Sequence, residues 1–251
     1  MAERAAVLEV DGVRRAFGGV RAVDGVSFAL ERGEIRALIG PNGAGKSTFF
    51  NILTGQLRAD AGRVRWRGRE IGGLPPHAIW RLGISRTFQI TATFATLTVL
   101  ENVQVARLSH AGRSRALLIP AARLEVAPSR ALLAQVGLIE QAARPAAVLA
   151  YGDLKKLELA IALANDPALL LLDEPTAGMA PGERGALMAL TARIARERGL
   201  TVLFTEHDMD VVFAVAERIM VLHQGRVIAD GTPAAVRADR EVQAVYLGEE
   251  P

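Results

Sequence analysis

Residues 40–48 read GPNGAGKST, and this stretch decides the fold. It satisfies the spacing G-x-x-x-x-G-K-[ST], with Gly40, Gly45, Lys46 and Ser47 in the required places. Residues 34–39 before it read as a buried strand and residues 47–53 after it as a helix, the strand–loop–helix context in which that spacing acquires structural meaning. Gly43 and Gly45 let backbone N–H groups turn inward around an anion. The N-terminus of the following helix adds a partial positive charge. Lys46 is expected to reach the β- and γ-phosphates and the Ser47 hydroxyl to ligate magnesium, while Pro41, Asn42, Ala44 and Thr48 complete the cradle. The stretch implies a bound nucleoside triphosphate.

The rest of the chain is consistent with an α/β frame around that loop. Half of its 251 residues are apolar, enough for a sizeable core, and the net charge of +3 argues against a nucleic-acid footprint built on bulk charge. Lysine occurs only at positions 46, 155 and 156, so the first half of the chain holds a single lysine and it lies in the phosphate loop. The absence of cysteine excludes disulfides, thiolate metal sites and a cysteine nucleophile. No apolar run approaches a membrane span, and the charged N-terminus lacks a signal-peptide pattern, so a soluble, cytoplasmic chain is expected.

Alternating stretches at 7–13 and 23–30 predict an N-terminal antiparallel sheet, and residues 62–68, between glycines, an exposed hairpin strand. A short helix is expected at 75–82 and a strand at 84–89. From about 98 to 164 helical spacing replaces the strand signal, at 99–106, 131–136 and 154–164, with turns at 111–112, Pro128 and Pro145. Strand and helix then alternate again: strands at 168–173, 201–205, 218–222 and 226–229, helices at 182–198 and 208–216, and Pro233 in a first helical turn. The fold class that follows is α/β with a mainly parallel sheet, an N-terminal antiparallel β-subdomain and an inserted helical subdomain. The expected division is 1–89 and 166–251 for the core and 90–165 for the insertion.

Residues 169–174, LLLLDE, form an apolar strand ending in two carboxylates. Asp173 is placed to hold magnesium through water beside Ser47. Glu174 points elsewhere and is placed to polarise the water that attacks the γ-phosphate.

With these motifs, Leu149-Ala-Tyr-Gly-Asp153 upstream of the acidic strand, Gln89 after Ile-Ser-Arg-Thr-Phe, and His207 after Val202-Leu-Phe-Thr205, the whole chain resembles the nucleotide-binding subunits of ABC transporters. The resemblance implies a head-to-tail dimer in which ATP lies between one subunit's phosphate loop and the other's signature, Ala150, Tyr151, Gly152 and Asp153 here. It implies that Phe17 stacks on adenine, that Gln89 senses the γ-phosphate and magnesium while touching a transmembrane partner, and that His207 contacts the γ-phosphate and orients the water. Gly152, with Leu154 opening the next helix, would present N–H groups to the opposite nucleotide. The catalytic set is then Lys46, Gln89, Glu174 and His207; the metal set is Ser47, Gln89 and Asp173.

The chain departs from the family where serine, glycine and glutamine are usual, at Ala150, Tyr151 and Asp153, and where aspartate is usual, at Ala180. Loss of the serine hydroxyl removes a hydrogen bond of about 1.5–3 kcal/mol to a charged group. A non-identical second ATPase subunit is therefore expected. Arg-Thr-Phe-Gln89, Leu-Thr-Val-Leu-Glu-Asn102, Glu-His-Asp-Met-Asp210 and the terminal Ala-Val-Tyr-Leu-Gly248 resemble importers of branched-chain amino acids and the related urea and amide importers. That class implies permease subunits, an extracytoplasmic binding protein and a place on the inner face of the membrane. Ile90, Ala92, Phe94, Leu97 and Val99 are candidates for a groove that accepts a permease helix. The rival readings are a soluble ABC ATPase acting on nucleic acid or ribosomes, a P-loop kinase, and a degenerate regulatory subunit.

Overall fold

The computed structural model of the chain describes residues 5–87, 93–111 and 124–247. Two long antiparallel strands open it, β1 (Ala6–Phe17) and β2 (Val20–Glu31). A register shift between Val10 and Val13 acts as a bulge that keeps both side chains buried, beside Val23, Val26 and Leu30. β3 (Ile35–Ile39) is buried at every position and leads through the phosphate loop into α1 (Lys46–Leu53). β4 (Ala61–Trp66) and β5 (Arg69–Glu70) complete a four-stranded sheet in the order β2-β1-β4-β5. The strand expected to be exposed at 62–68 is exposed on one face only: Arg63 and Arg67 are exposed, whereas Val64 and Trp66 are buried, because β4 pairs with β1 and shares its covered side.

α2 (Pro76–Arg81) and β6 (Ile84–Thr87) follow, then α3 (Val99–His110), α4 (Val126–Gln135) and α5 (Tyr151–Leu163), with single 3₁₀ turns at Ile139–Gln141 and Ala146–Val148. Two expectations are corrected here. Pro128 stands in the first turn of α4, where a missing N–H forfeits no intrahelical bond, and not at a turn between helices. α5 opens at Tyr151, not at Leu154, so Gly152 is already helical.

The alternation resumes with β7 (Leu169–Asp173), α6 (Pro181–Arg198), β8 (Thr201–Thr205), α7 (Met209–Val215), β9 (Arg218–His223), β10 (Arg226–Gly231), α8 (Pro233–Ala238) and α9 (Arg240–Leu247). The second sheet has the order β10-β9-β3-β8-β7-β6, parallel throughout except for the β9–β10 hairpin. The strands β7, β8 and β9 carry continuous apolar runs because both faces are covered there. Ala37, Leu172, Phe204 and Val221 face a layer built with α3 to α7, while Leu38, Leu171, Leu203 and Leu222 face α1 and the antiparallel sheet. β3 lies between β8 and β9, so the phosphate loop leaves the middle of the sheet at its carboxyl edge, where α/β proteins place ligands. No described helix is long and apolar enough to cross a membrane.

Candidate functional site

The phosphate loop is wedged between two strands. A Cβ on Gly45, at φ 106°, would lie 2.0 Å from the Ala22 carbonyl oxygen, and one on Gly40 would lie 2.0 Å from that of Leu222. Only glycine lets the loop pass at that separation. Asn42, Gly43, Ala44, Gly45, Lys46, Ser47 and Thr48 line a cavity of about 190 Å³ together with Ala22 of β2 and Glu174. Pro41 is not in the lining, but its carbonyl accepts from Lys46 Nζ at 3.0 Å, and the Gly40 carbonyl accepts from the same ammonium at 2.5 Å. Burial pushes the Lys46 pKa down, and the carboxylates of Glu174 and Asp173 pull it partly back.

The two acids after the apolar strand face different surroundings. Asp173 is buried; its Oδ1 accepts from Thr205 Oγ1 at 3.0 Å and its Oδ2 from Arg86 Nη2 at 2.6 Å. Glu174 turns through a left-handed backbone, φ 48°, held by hydrogen bonds from its N–H to the Thr205 carbonyl and hydroxyl. That turn carries its side chain to the phosphate cavity, where Oε1 meets His207 Nε2 at 2.8 Å. His207 is half exposed and lies two residues past the end of β8. Glu206, the first residue of the Glu-His-Asp-Met-Asp210 stretch but given no role by the sequence, is buried and accepts from the Thr176 N–H at 2.9 Å, the Thr176 hydroxyl at 2.6 Å and the His207 N–H at 3.3 Å. It ties the loop after Glu174 to the histidine.

The signature residues gather at the start of α5, and none of them lines the cavity of this chain's own phosphate loop. Ala150 is the N-cap and gives no side-chain bond. The Tyr151 hydroxyl donates to the Ala177 carbonyl at 2.8 Å. Gly152 is buried, and a Cβ there would meet Glu183 Oε1 at 3.3 Å. Burial raises the Asp153 pKa, but hydrogen bonds from Lys156 and Gln141 outweigh it and hold the carboxyl below its usual range. Ala180 is likewise an N-cap without a side-chain bond, at the start of α6.

Phe17 ends β1 and is 44% exposed, with the Arg15 guanidinium 4.7 Å from its ring centroid. It is not part of the cavity lining, whose β2 member is Ala22. Gln89, Ile90 and Ala92 lie outside the described residues. Of the other groove candidates, Phe94 is exposed, Leu97 is half-buried, and Val99 is wholly buried in the core, so it faces no groove. A groove of about 410 Å³ does run between α2, β6, α3 and α5; its apolar wall is Ile79, Trp80, Ala106 and Ile161.

Comparison with known proteins agrees with this geometry. A family described as "ABC transporter" matches residues 23–177, and one described as "Branched-chain amino acid ATP-binding cassette transporter" matches residues 226–251. The chain is 42% identical to the high-affinity branched-chain amino acid transport ATP-binding protein BraF of Pseudomonas aeruginosa, over 97% of this chain and 98% of that protein. The crystal structure of the ADP conformation of an ATP-binding cassette of an ABC transporter superposes with a TM-score of 0.88, at 32% identity, covering 98% of this chain and 100% of that one. A dimeric cassette in a post-hydrolysis state bound to ADP and Pi superposes at 0.75, with 26% identity over 90% of this chain and 98% of that one. Family match, identity along almost the full length and shared architecture place the chain in the ABC transporter family, among its ATP-binding cassettes.

Proposed function

We propose that the chain hydrolyses ATP to power an importer of branched-chain amino acids. The observation that carries the reading is the convergence on one cavity of the phosphate loop, Glu174 and, through its 2.8 Å contact with Glu174, His207. On this reading Lys46 leaves the Gly40 and Pro41 carbonyls for the β- and γ-phosphates. Glu174 accepts a hydrogen bond from the attacking water, and His207 fixes the glutamate and contacts the γ-phosphate, so the proton leaving the water has an acceptor in place. Gln89 is assigned to the γ-phosphate and metal, and Phe17 to stacking on the adenine.

The donors suit magnesium, a hard cation that keeps several waters and takes few protein ligands. Ser47 lines the cavity, Asp173 is close enough to act on the charge of Lys46, and no larger cluster of metal-ligating side chains occurs among the described residues. The ion would neutralise charge developing on the phosphates. Ser47 and Asp173 would hold it.

Because the signature lies apart from the phosphate loop, it would serve the ATP of a second, non-identical ATPase subunit in a head-to-tail dimer. The described stretch from β6 to β7 contains helices and no strand, which supports reading 90–165 as a helical arm on a core of 1–89 and 166–251. Two permease chains and an extracytoplasmic binding protein complete the assembly, with this subunit peripheral on the inner face of the membrane. The substrate class rests on the similarity to BraF and on the match at residues 226–251. The test is purification of the tagged chain from membranes, followed by ATPase assay with and without branched-chain amino acids and their binding protein. Co-purifying permeases and amino-acid-stimulated turnover are expected; recovery of ribosomes or DNA instead would overturn the transport reading.

A further inference from the structure

Arg86 joins both sides of the nucleotide site. The side chain is 8% exposed and lies on β6, three positions before Gln89. Its Nη2 donates to Asp173 Oδ2 at 2.6 Å. Its Nη1 donates to Asn51 Oδ1 at 2.7 Å and Thr54 Oγ1 at 3.2 Å, at the far end of the helix that begins with Lys46 and Ser47. The guanidinium also stands 5.6 Å from the Phe50 ring centroid. Lys46, the other cation of the site, gives its hydrogen bonds to loop carbonyls and not to Asp173. The second Asp173 oxygen is held by Thr205 of the neighbouring strand. The carboxylate is thus clamped from β6 on one side and β8 on the other.

A guanidinium stays charged at every pH a protein survives and presents its donors in a rigid fork. Joined to Asn51 in the last turn of α1 and to Thr54 at its C-cap, it fixes the rotamer of Asp173 and its position relative to the helix that carries the phosphates. We infer that Arg86 is a positioning residue for the magnesium–nucleotide complex, acting through Asp173. The inference rests on the ATPase reading of the site and adds a residue to it.

The test measures binding of the fluorescent analogue TNP-ATP to the full chain, in excess Mg²⁺ and in EDTA, for the unsubstituted protein, Arg86→Gln, Arg86→Lys and Asn51→Ala. Residues that orient a metal ligand affect metal affinity about 10- to 100-fold, so Arg86→Gln should weaken binding by that much in Mg²⁺ and by less than about threefold in EDTA. Arg86→Lys keeps the charge without the fork and should recover part of the loss; Asn51→Ala should lie between it and the native chain. Equal losses with and without Mg²⁺, or no Mg²⁺-specific loss in any variant, overturn the inference. Should Arg86→Gln not fold, the other two variants carry the same comparison. Failure of the unsubstituted chain to bind TNP-ATP would overturn the nucleotide reading itself, whereas native binding with an unchanged Mg²⁺ ratio removes only Arg86.

Discussion

Glu174 and Asp173 are adjacent in the chain and opposite in surroundings, and a backbone turn is the cause. At φ 48° the Glu174 peptide sits in the left-handed region that costs a non-glycine residue about 1–2 kcal/mol. Two hydrogen bonds from its N–H to Thr205 hold it there. Strain of this kind is retained where the surrounding structure over-determines it, commonly at working sites. Glu174→Gln keeps the shape but accepts a proton far less readily. Single-turnover phosphate release should fall about 100-fold or more, while ATP stays bound and a closed dimer accumulates in size-exclusion chromatography. Unchanged turnover would take Glu174 out of the mechanism. The glycine spacing of the phosphate loop was legible because the constraint is local: loop, strand and helix follow one another within 34–53. The role of Arg86 was not legible, since its partners Asn51 and Asp173 stand 35 and 87 positions away. Glu206 escaped notice for a similar reason, its bond to Thr176 spanning 30 positions.

Two of the four departures from the family pattern stand at helix starts. Ala150 and Ala180 are the N-caps of α5 and α6, and neither supplies the side-chain oxygen that satisfies an orphan N–H. Ala150→Ser should therefore stabilise the isolated chain by up to about 1 kcal/mol, read as a rise in thermal midpoint without nucleotide. In the assembled complex the same hydroxyl should speed ATP turnover, by up to roughly tenfold to a hundredfold, at the partner's phosphate loop. A higher midpoint with no change in complex ATPase would argue that the signature hydroxyl has no catalytic part. α3 is capped fully: Thr98 and Glu101 exchange bonds at 3.1 and 2.8 Å. Thr98→Ala should cost about 1 kcal/mol in urea melts. The Thr98 N–H and hydroxyl hold the Glu101 pKa below its usual range. A depressed carboxylate contributes its stability above the unfolded pKa, near 4.3, and loses it as pH falls through the lower folded value. The Thr98→Ala penalty should accordingly shrink below about pH 4, and a constant penalty at all pH would deny the ion its share. Helix and strand identities were readable from periodicity. The burial of β4 and the place of Pro128 depended on neighbours far away in sequence.

Among the described residues a wide groove runs between α2 and β6 on one side and α3 and α5 on the other. Thr87 and Glu158 contribute to its wall, and among the described residues Thr87 Oγ1 and Glu158 Oε1 are buried without a hydrogen-bond partner. An apolar wall of this width suits the apolar face of a short helix. That is the surface a permease helix would use under the proposed function, and Arg86 forms part of its wall. Ser109 lies on the groove's rim, exposed, in the last turn of α3. Ser109→Trp should fill the groove without entering the core, so the isolated chain should keep its stability within about 0.5 kcal/mol. TNP-ATP affinity should be unchanged, since Ser109 is not among the residues lining the phosphate cavity. An indole standing in the groove leaves no room for an occupant, so recovery of permease chains with the tagged subunit should drop more than about tenfold. Co-purification at the native level would mean that the permease docks elsewhere.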